Sequence, residues 1–279
     1  MSSSVQPVLA LLGHSLGGNP TQYMVEKALE HHELDWRFLS LEVAPEDLGA
    51  AIGGMRAMGF SGGNCARPHK QAVVAFLDGL SETAELIGAA NCLLRREGRL
   101  LGENTEGKAL VQAIRERIDP AGKRVVLLGA GSVARAVGVE LALAHAAEIT
   151  VVNRSEEPGR RLVELVEGRL QVPAAFVLWE EPYRVPPETD VLLSAISIAP
   201  AEDAALPLVL DELAPEAVVA DVAFNPQTWL IRQAGQRQLA AVDGLETLVS
   251  QTAINLKLWT GVDVDQAVMR EAVEEFLEL

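Results

Sequence analysis

The sequence predicts an α/β protein of two domains, and three observations carry that expectation. Short apolar runs alternate with amphipathic stretches along almost all of the 279 residues, the pattern of a mostly parallel α/β architecture. In mid-chain, "VVLLGAGSVARA" sets a glycine-rich turn between a buried-strand run and a long helical run, which is how a nucleotide-binding unit begins. The polar turn Asp119-Pro120-Ala121-Gly122 leads into that unit, and with it a division of the chain is expected near residue 106.

The elements follow in order. Strands are expected at Val8–Leu12, Arg37–Leu41, Ala90–Leu94, Arg124–Leu128, Ile149–Asn153, Val191–Ser194 and Val218–Asp221, each a short apolar run. Between the first of them, "PTQYMVEKALEHH" and "EDLGAAIGGMRAM" repeat apolar residues at helical spacing. Asn19, Pro20 and Gln22 read as a helix start with a cap, a first-turn proline and a capping-box partner. The last segment, "GLETLVSQTAINLKLWTGVDVDQAVMREAVEEFLEL", reads as two helices separated by Thr260-Gly261, and these need not belong to the second domain. The sequence contains no internal repeat.

Composition removes several classes of function. A formal net charge of −16 without a Lys/Arg run argues against a nucleic-acid surface. No apolar run reaches the roughly 20 residues of a membrane span, and "MSSSVQPVLALLG" lacks the basic start of a signal peptide. A soluble cytoplasmic protein is expected. Cys65 and Cys92 have no cysteine nearby and read as small buried thiols, and the five histidines form no ligand pattern, so no metal is expected.

The glycine-rich turn has the G-x-G-x-x-A form at Gly129, Gly131 and Ala134. The first glycine permits the tight turn, the second lets a pyrophosphate approach the backbone, and the small third residue allows close helix packing. Ala130, Ser132 and Val133 complete a set of amides for the phosphates. At the end of the next strand, where an acidic residue would grip a ribose hydroxyl, Asn153, Arg154 and Ser155 stand instead. A guanidinium there suits a 2′-phosphate, so NADP is expected rather than NAD. Glu156 and Glu157 follow directly, and the alternative for Arg154 is a solvated charge at a strand end.

A nicotinamide enzyme without metal needs a titratable group beside the reacting alcohol oxygen. Lys70, one of five lysines, stands in "SGGNCARPHKQ" after a Gly-Gly turn and a Pro-His pair, and can serve if a carboxylate orients it. The promising carboxylate is Glu106 in "LLGENTEGKAL"; taken alone it reads as a first-turn acid favoured by the helix dipole.

These residues stand in a recognisable order. The chain resembles the shikimate dehydrogenases over nearly its whole length: "GGNCARPHK" stands for Asn-Val-Thr-x-Pro-x-Lys, "ELIGAANCLL" for Ile-Gly-Ala-x-Asn-Thr, and "GENTEG" for Gly-x-Asn-Thr-Asp-Gly. "LLGAGSVARA", "VVNRS", "VVADVAFNP" and "VDGLETLVSQTAINLKLWTG" continue the match. The resemblance implies a substrate-binding catalytic α/β domain over residues 1–106 and 244–279 and a Rossmann domain over 107–243, with the C-terminal helices returning to the first. It implies NADP-dependent, reversible reduction of 3-dehydroshikimate to shikimate, with Lys70 and Glu106 handling the proton. Asn91 and Gln251 fall on substrate-binding positions, and Gly244 joins the cofactor set. The expected partner is a small cyclic hydroxy acid, for a monomer or homodimer.

Several positions depart from the family pattern. Glu106 replaces an aspartate, which shifts the carboxylate by about 1 Å. Ala66 replaces a threonine. The Ser-x-Ser carboxylate clamp falls within "SLGGNPTQ", on Asn19 and Thr21 in one register and on Gly17 and Asn19 in the other. Ala199, Pro200 and Phe224 replace a glycine, a methionine and a tyrosine near the expected pocket. Together these suggest a divergent relative, leaving quinate or aminoshikimate as alternative substrates and a non-catalytic nucleotide-binding homologue as the alternative to an enzyme.

Overall fold

The computed structural model describes residues 5–196, 205–225 and 227–279. Ala199 and Pro200 lie outside them. The chain forms two compact units, one made of Met1–Thr105 with Gln251–Leu279 and the other of Glu106–Ser250.

The first unit is built on a mixed six-stranded sheet of β1 (Val8–Gly13), β2 (Arg37–Glu42), β3 (Gly62–Cys65), β4 (Gly79–Leu80), β5 (Cys92–Arg96) and β6 (Arg99–Glu103), in the order β2-β1-β3-β5-β6-β4. β1 runs parallel to β2 and β3, whereas β5 is antiparallel to β3 and β6. Helices α1 (Thr21–His31), α2 (Leu48–Met58), α3 (His69–Ala72) and α4 (Glu82–Ile87) connect the strands. Ala10, Leu12 and Leu93 from the sheet meet Leu48, Ile52 and Met55 of α2 in one buried cluster. Apolar spacing along α1 likewise buries Met24, Val25, Ala28 and Leu29, as its sequence pattern requires.

The start of α1 differs from expectation. The helix begins at Thr21, so Pro20 occupies the cap position rather than the first turn. Asn19 Oδ1 accepts the Thr21 N–H at 2.9 Å, but Gln22 closes no capping box. Its amide donates to Glu26 and accepts the Ser40 N–H of β2, because a neighbouring strand offers it a partner that the sequence does not reveal.

The second unit carries the parallel sheet. Its strands are β7 (Arg124–Leu128), β8 (Glu148–Asn153), β9 (Ala174–Leu178), β11 (Val191–Ser194), β13 (Val218–Asp221) and β14 (Ala240–Val242), ordered β14-β13-β11-β7-β8-β9. A separate two-stranded ribbon joins β10 (Tyr183–Arg184) to β12 (Leu208–Val209). The helices are α5 (Glu106–Arg115), α6 (Ser132–Leu143), α7 (Glu156–Leu170) and α8 (Trp229–Gln236). Side chains alternate across the sheet, and both faces are covered. Leu127, Val151 and Leu193 pack with Val137 and Leu141 on one side, and Val126, Val152 and Leu192 with Leu230 and Ala234 on the other. The strand order reverses between β7 and β11, which creates the crevice where doubly wound sheets bind ligands.

Helix α9 (Gly244–Thr260) carries the chain across the unit boundary, between Ser250 and Gln251. α10 (Gln266–Leu277) follows and rests on α1, where the Tyr23 hydroxyl donates to Glu275 at 2.8 Å. Every strand expected from the sequence is present, although the one expected from Ala90 begins at Cys92. Both cysteines are buried thiols outside any disulfide. No helix among the described residues is long and apolar enough to cross a membrane.

Candidate active site

Lys70 lies in α3, a single turn held on both sides. The His69 N–H donates to Ala66 O at 2.9 Å, and the Ala90 N–H donates to Lys70 O at 2.8 Å. His69 is buried, with its Nε2 2.9 Å from Val43 O, so this histidine fixes the turn rather than offering a ligand. Cys65 lies close enough to feel the lysine's charge. Burial pushes its thiol up to about 12 while Lys70 pulls it down, so at neutral pH the neighbour of Lys70 is a neutral thiol.

Asn91 is the centre of a buried polar network in the same unit. Its Nδ2 donates to Thr105 Oγ1 at 2.9 Å, and its Oδ1 accepts the Thr105 N–H at 2.7 Å. The Thr105 hydroxyl donates onward to Asn255 Oδ1 at 2.7 Å, while Asn64 Nδ2 donates to the Asn91 carbonyl at 3.1 Å. Asn64, Asn91, Thr105 and Asn255 are all at most 5% exposed. Asn64 Oδ1 and Asn255 Nδ2 nevertheless have no hydrogen-bond partner among the described residues. An orphaned buried polar atom costs about 1–3 kcal/mol. Asn64, Thr105 and Asn255 were not among the expected site residues. The polar "GGNC" in an apolar sheet was the one available signal, and β3 itself was not expected because Gly-Gly-Asn has low strand propensity.

The loop after β1 is where the structure departs most from a carboxylate clamp. Glu42, at the end of β2, accepts the Ser15 N–H at 2.8 Å and the Leu16 N–H at 2.5 Å. Those two backbone hydrogen bonds hold its carboxyl below the usual range, with a smaller contribution from His14. The side chains of Leu16 and Ala66 both close over Gly13, within 3.1 Å of where a Cβ would stand there. Asn19 is occupied with the Thr21 amide, and Thr21 is buried. Two of the loop's backbone donors, the N–H groups of Ser15 and Leu16, are thus directed at one of the protein's own carboxylates.

Glu106 is the first residue of α5 and half-buried, in the helix-N-terminal setting that suits an acid. Gln251 is half-buried in α9, one turn before Asn255 on the same face. Phe224 is 59% exposed.

The second unit holds a nucleotide-type turn. Gly129 has φ +104°, and a Cβ there would lie 3.1 Å from Ala195 O, so glycine is required. Gly131 caps α6, and a Cβ on it would meet nothing within 4 Å, which leaves open space before the helix N-terminus. The Gly129 N–H itself donates to Val152 O at 2.8 Å, so it is the amides after it, Ala130 to Val133, that suit a pyrophosphate. Arg154 is exposed, its guanidinium 5.7 Å over the Trp179 ring, and Asn153 Nδ2 donates to Ser155 O at 2.8 Å. Glu156 and Glu157 pair with Arg160 and Arg161 one turn along α7, which draws both acids away from a phosphate at Arg154. Gly244 stands against backbone: a Cβ there would lie 1.9 Å from Ala223 O. Close packing accounts for that glycine.

Comparison with known proteins bears on these two sites. Residues 11–93 match the shikimate dehydrogenase substrate binding domain, 110–203 the shikimate/quinate 5-dehydrogenase model and 244–274 the shikimate 5′-dehydrogenase C-terminal domain. A shikimate dehydrogenase (NADP(+)) of Methanothermobacter thermautotrophicus is 35% identical over 274 residues, covering 97% of this chain and 96% of its own. The chain belongs to the shikimate dehydrogenase family. Within that family, the Thermus thermophilus enzyme solved with NADP(H) and shikimate is 29% identical with a TM-score of 0.84, over 97% of this chain and all of its own. The ligand-free 5-ketofructose reductase of a Gluconobacter strain is closer, at 39% identity and a TM-score of 0.94, over 98% of this chain and 99% of its own.

Proposed function

We propose that this protein is an NADP-dependent oxidoreductase of the shikimate dehydrogenase type that interconverts a ketone and a secondary alcohol on a small, polyhydroxylated and uncharged substrate. The observation that carries the choice of substrate is Glu42 on the amides of Ser15 and Leu16. An acidic substrate would bring its carboxylate toward a loop whose donors already serve an anion, and two like charges in one site disfavour each other. With Ala66 and Leu16 apolar beside that loop, an uncharged ring or chain loses nothing. Likeness to a 5-ketofructose reductase supports the same class, since that compound is a neutral polyhydroxy ketone.

Gly129, Ala130, Gly131, Ser132 and Val133 would hold the pyrophosphate and Asn153, Arg154 and Ser155 the adenosine ribose with its 2′-phosphate. The nicotinamide, when bound, supplies or accepts hydride at the substrate carbon. In the reductive direction Lys70 delivers a proton to the carbonyl oxygen, and Glu106 keeps the ammonium oriented. Asn91 and Gln251 orient the substrate by hydrogen bonds to its hydroxyls.

A second reading, shikimate as substrate, is favoured by the NADP-dependent shikimate dehydrogenases at 35% identity. The two separate in one experiment: oxidation of NADPH is followed with 5-ketofructose and with 3-dehydroshikimate. The proposal expects kcat/KM at least about 100-fold higher for the neutral ketone, and the reverse preference overturns it in favour of shikimate.

A further inference from the structure

Asp221 occupies a place in the second unit that the chemistry described so far does not use. Its carboxylate ends β13 at 1% exposure and accepts the Ala223 N–H at 3.1 Å, two residues on, and the Thr228 hydroxyl at 2.9 Å, seven residues on. One buried side chain thus ties both ends of the segment that leaves the strand. A backbone contact holds the same segment from another side: the Ala223 carbonyl lies against Gly244, where a Cβ would come within 1.9 Å of it. Between Asp221 and Thr228, Val222 and Ala223 stay partly exposed and Phe224 is 59% exposed. The fixed segment therefore presents accessible surface, although the residue that fixes it presents none.

The neighbouring strand ends say what that surface faces. The glycine-rich turn follows β7, and a Cβ on Gly129 would lie 3.1 Å from Ala195 O, just after β11. The Ala195 N–H donates to Leu128 O at 2.9 Å and the Val222 N–H to Ser194 O at 3.1 Å, so the chain leaves β7, β11 and β13 side by side at one edge of the sheet. A dinucleotide whose pyrophosphate sits at the Gly129 turn has its two halves on opposite sides of it. Arg154 follows β8, the other neighbour of β7, and takes the adenosine half. The nicotinamide half is left with the ends of β11 and β13.

We propose that Asp221 is a positioning residue for the nicotinamide ring, which it serves by holding Ala223 and Thr228 and so fixing the segment after β13 against which the ring lies. The inference rests on the NADP site assigned above but not on the choice between a neutral ketone and shikimate. A reacting group misplaced by about 1 Å loses about 100-fold in rate, so the fixed segment matters to turnover and to the ring, and not to the adenosine half.

The test compares the full chain with Asp221→Leu, which keeps the branched shape but accepts no hydrogen bond, and with Asp221→Asn, which keeps an acceptor for Ala223 and a donor for Thr228. NADPH and 2′-phospho-ADP-ribose, the cofactor without its nicotinamide, are titrated calorimetrically, and kcat is measured with whichever ketone the parent reduces. Asp221→Leu is expected to weaken NADPH by about 10-fold, to leave 2′-phospho-ADP-ribose within about 2-fold and to lower kcat by about 10- to 100-fold. Asp221→Asn is expected to recover to within about 3-fold of the parent in all three. A merely structural role would move the unfolding midpoint without separating the two nucleotides. Thr228→Val cuts one of the two ties and repeats the comparison, with a smaller loss of NADPH, should the leucine variant not fold. The proposal is overturned if a folded variant loses both nucleotides alike, if it keeps the parent's NADPH affinity and kcat, or if Asp221→Asn does no better than Asp221→Leu. Failure of the parent to bind NADPH would overturn the cofactor reading and this inference with it. Preference for 3-dehydroshikimate over 5-ketofructose would sink the neutral-substrate reading alone, because the nucleotide comparison needs no substrate.

Discussion

Glu42 accepts the backbone N–H of Leu16 at 2.5 Å, so the end of one strand supplies the anion for the loop that leaves its neighbour. The strands β1 and β2 are parallel and in register from Val8 with Arg37 to Gly13 with Glu42, which brings a residue at the end of the second beside the loop that follows the first. Under the proposed function, a carboxylate placed there opposes a substrate carboxylate brought to the same loop.

The first prediction follows from that opposition. Glu42→Gln removes the charge and keeps a carbonyl acceptor for only one of the two amides, its NH₂ freeing the other, so KM for shikimate should fall at least about 3-fold while KM for 5-ketofructose stays within about 2-fold. Ala66→Thr alone should do less, because the Ala66 side chain stands close against Gly13 and the added atoms must find room there, while the charge of Glu42 remains. Steady-state kinetics of both variants on both substrates checks this, and an unchanged shikimate KM in Glu42→Gln counts against a role for its charge.

The second concerns the proton. Lys70→Ala should lower kcat by about 10²- to 10⁴-fold with NADPH affinity unchanged, the expected loss for a general acid–base group. Glu106→Gln should do similar damage, since an amide supplies no charge to orient the ammonium. Turnover of Lys70→Ala at the parent rate would leave the lysine a structural part of α3.

Cofactor preference is the third. Arg154→Ala should weaken NADP by about 10-fold or more and leave NAD within about 2-fold, because only the 2′-phosphate differs between them. Isothermal titration with both nucleotides measures it, and an equal loss for both would assign Arg154 to packing over Trp179.

What was legible in the sequence was whatever is written locally. The turn at Gly129 was readable because its backbone φ and its helix N-terminus are demanded by neighbouring residues, and the strands around it are continuous apolar runs. β3 was hidden because "GGNC" is held by pairing to β1 and β5 rather than by propensity. Glu42 and Asn255 were unreadable for a different reason. Asn255 meets Thr105 across 150 positions of chain and Glu42 meets Leu16 across 26, and no local pattern encodes either contact. Gln22 was misread as a cap partner because its true partner, the Ser40 amide, lies on another strand.

The last prediction is of stability against pH. Asp221 ends β13 at 1% exposure, and burial pushes its carboxyl above the usual range, partly offset by hydrogen bonds from the Ala223 N–H at 3.1 Å and the Thr228 hydroxyl at 2.9 Å. A raised value in the folded state means that the folded protein holds this proton more tightly than the unfolded chain. Its contribution is therefore fully present below the ordinary aspartate value of about 4 and is lost as the pH climbs through the higher folded value. Asp221→Asn keeps an oxygen for the Ala223 amide and offers its NH₂ to the Thr228 oxygen, so the cap of α8, where Thr228 accepts the Ile231 N–H at 3.3 Å, can persist. The variant should unfold with a flatter dependence on pH above about 4, and its gain over the parent should grow as the pH rises through the folded value. Urea unfolding of both proteins between about pH 4 and pH 8 measures the difference in slope. Parallel curves would mean that Asp221 ionises alike in the folded and unfolded chains, and that its hydrogen bonds offset burial in full.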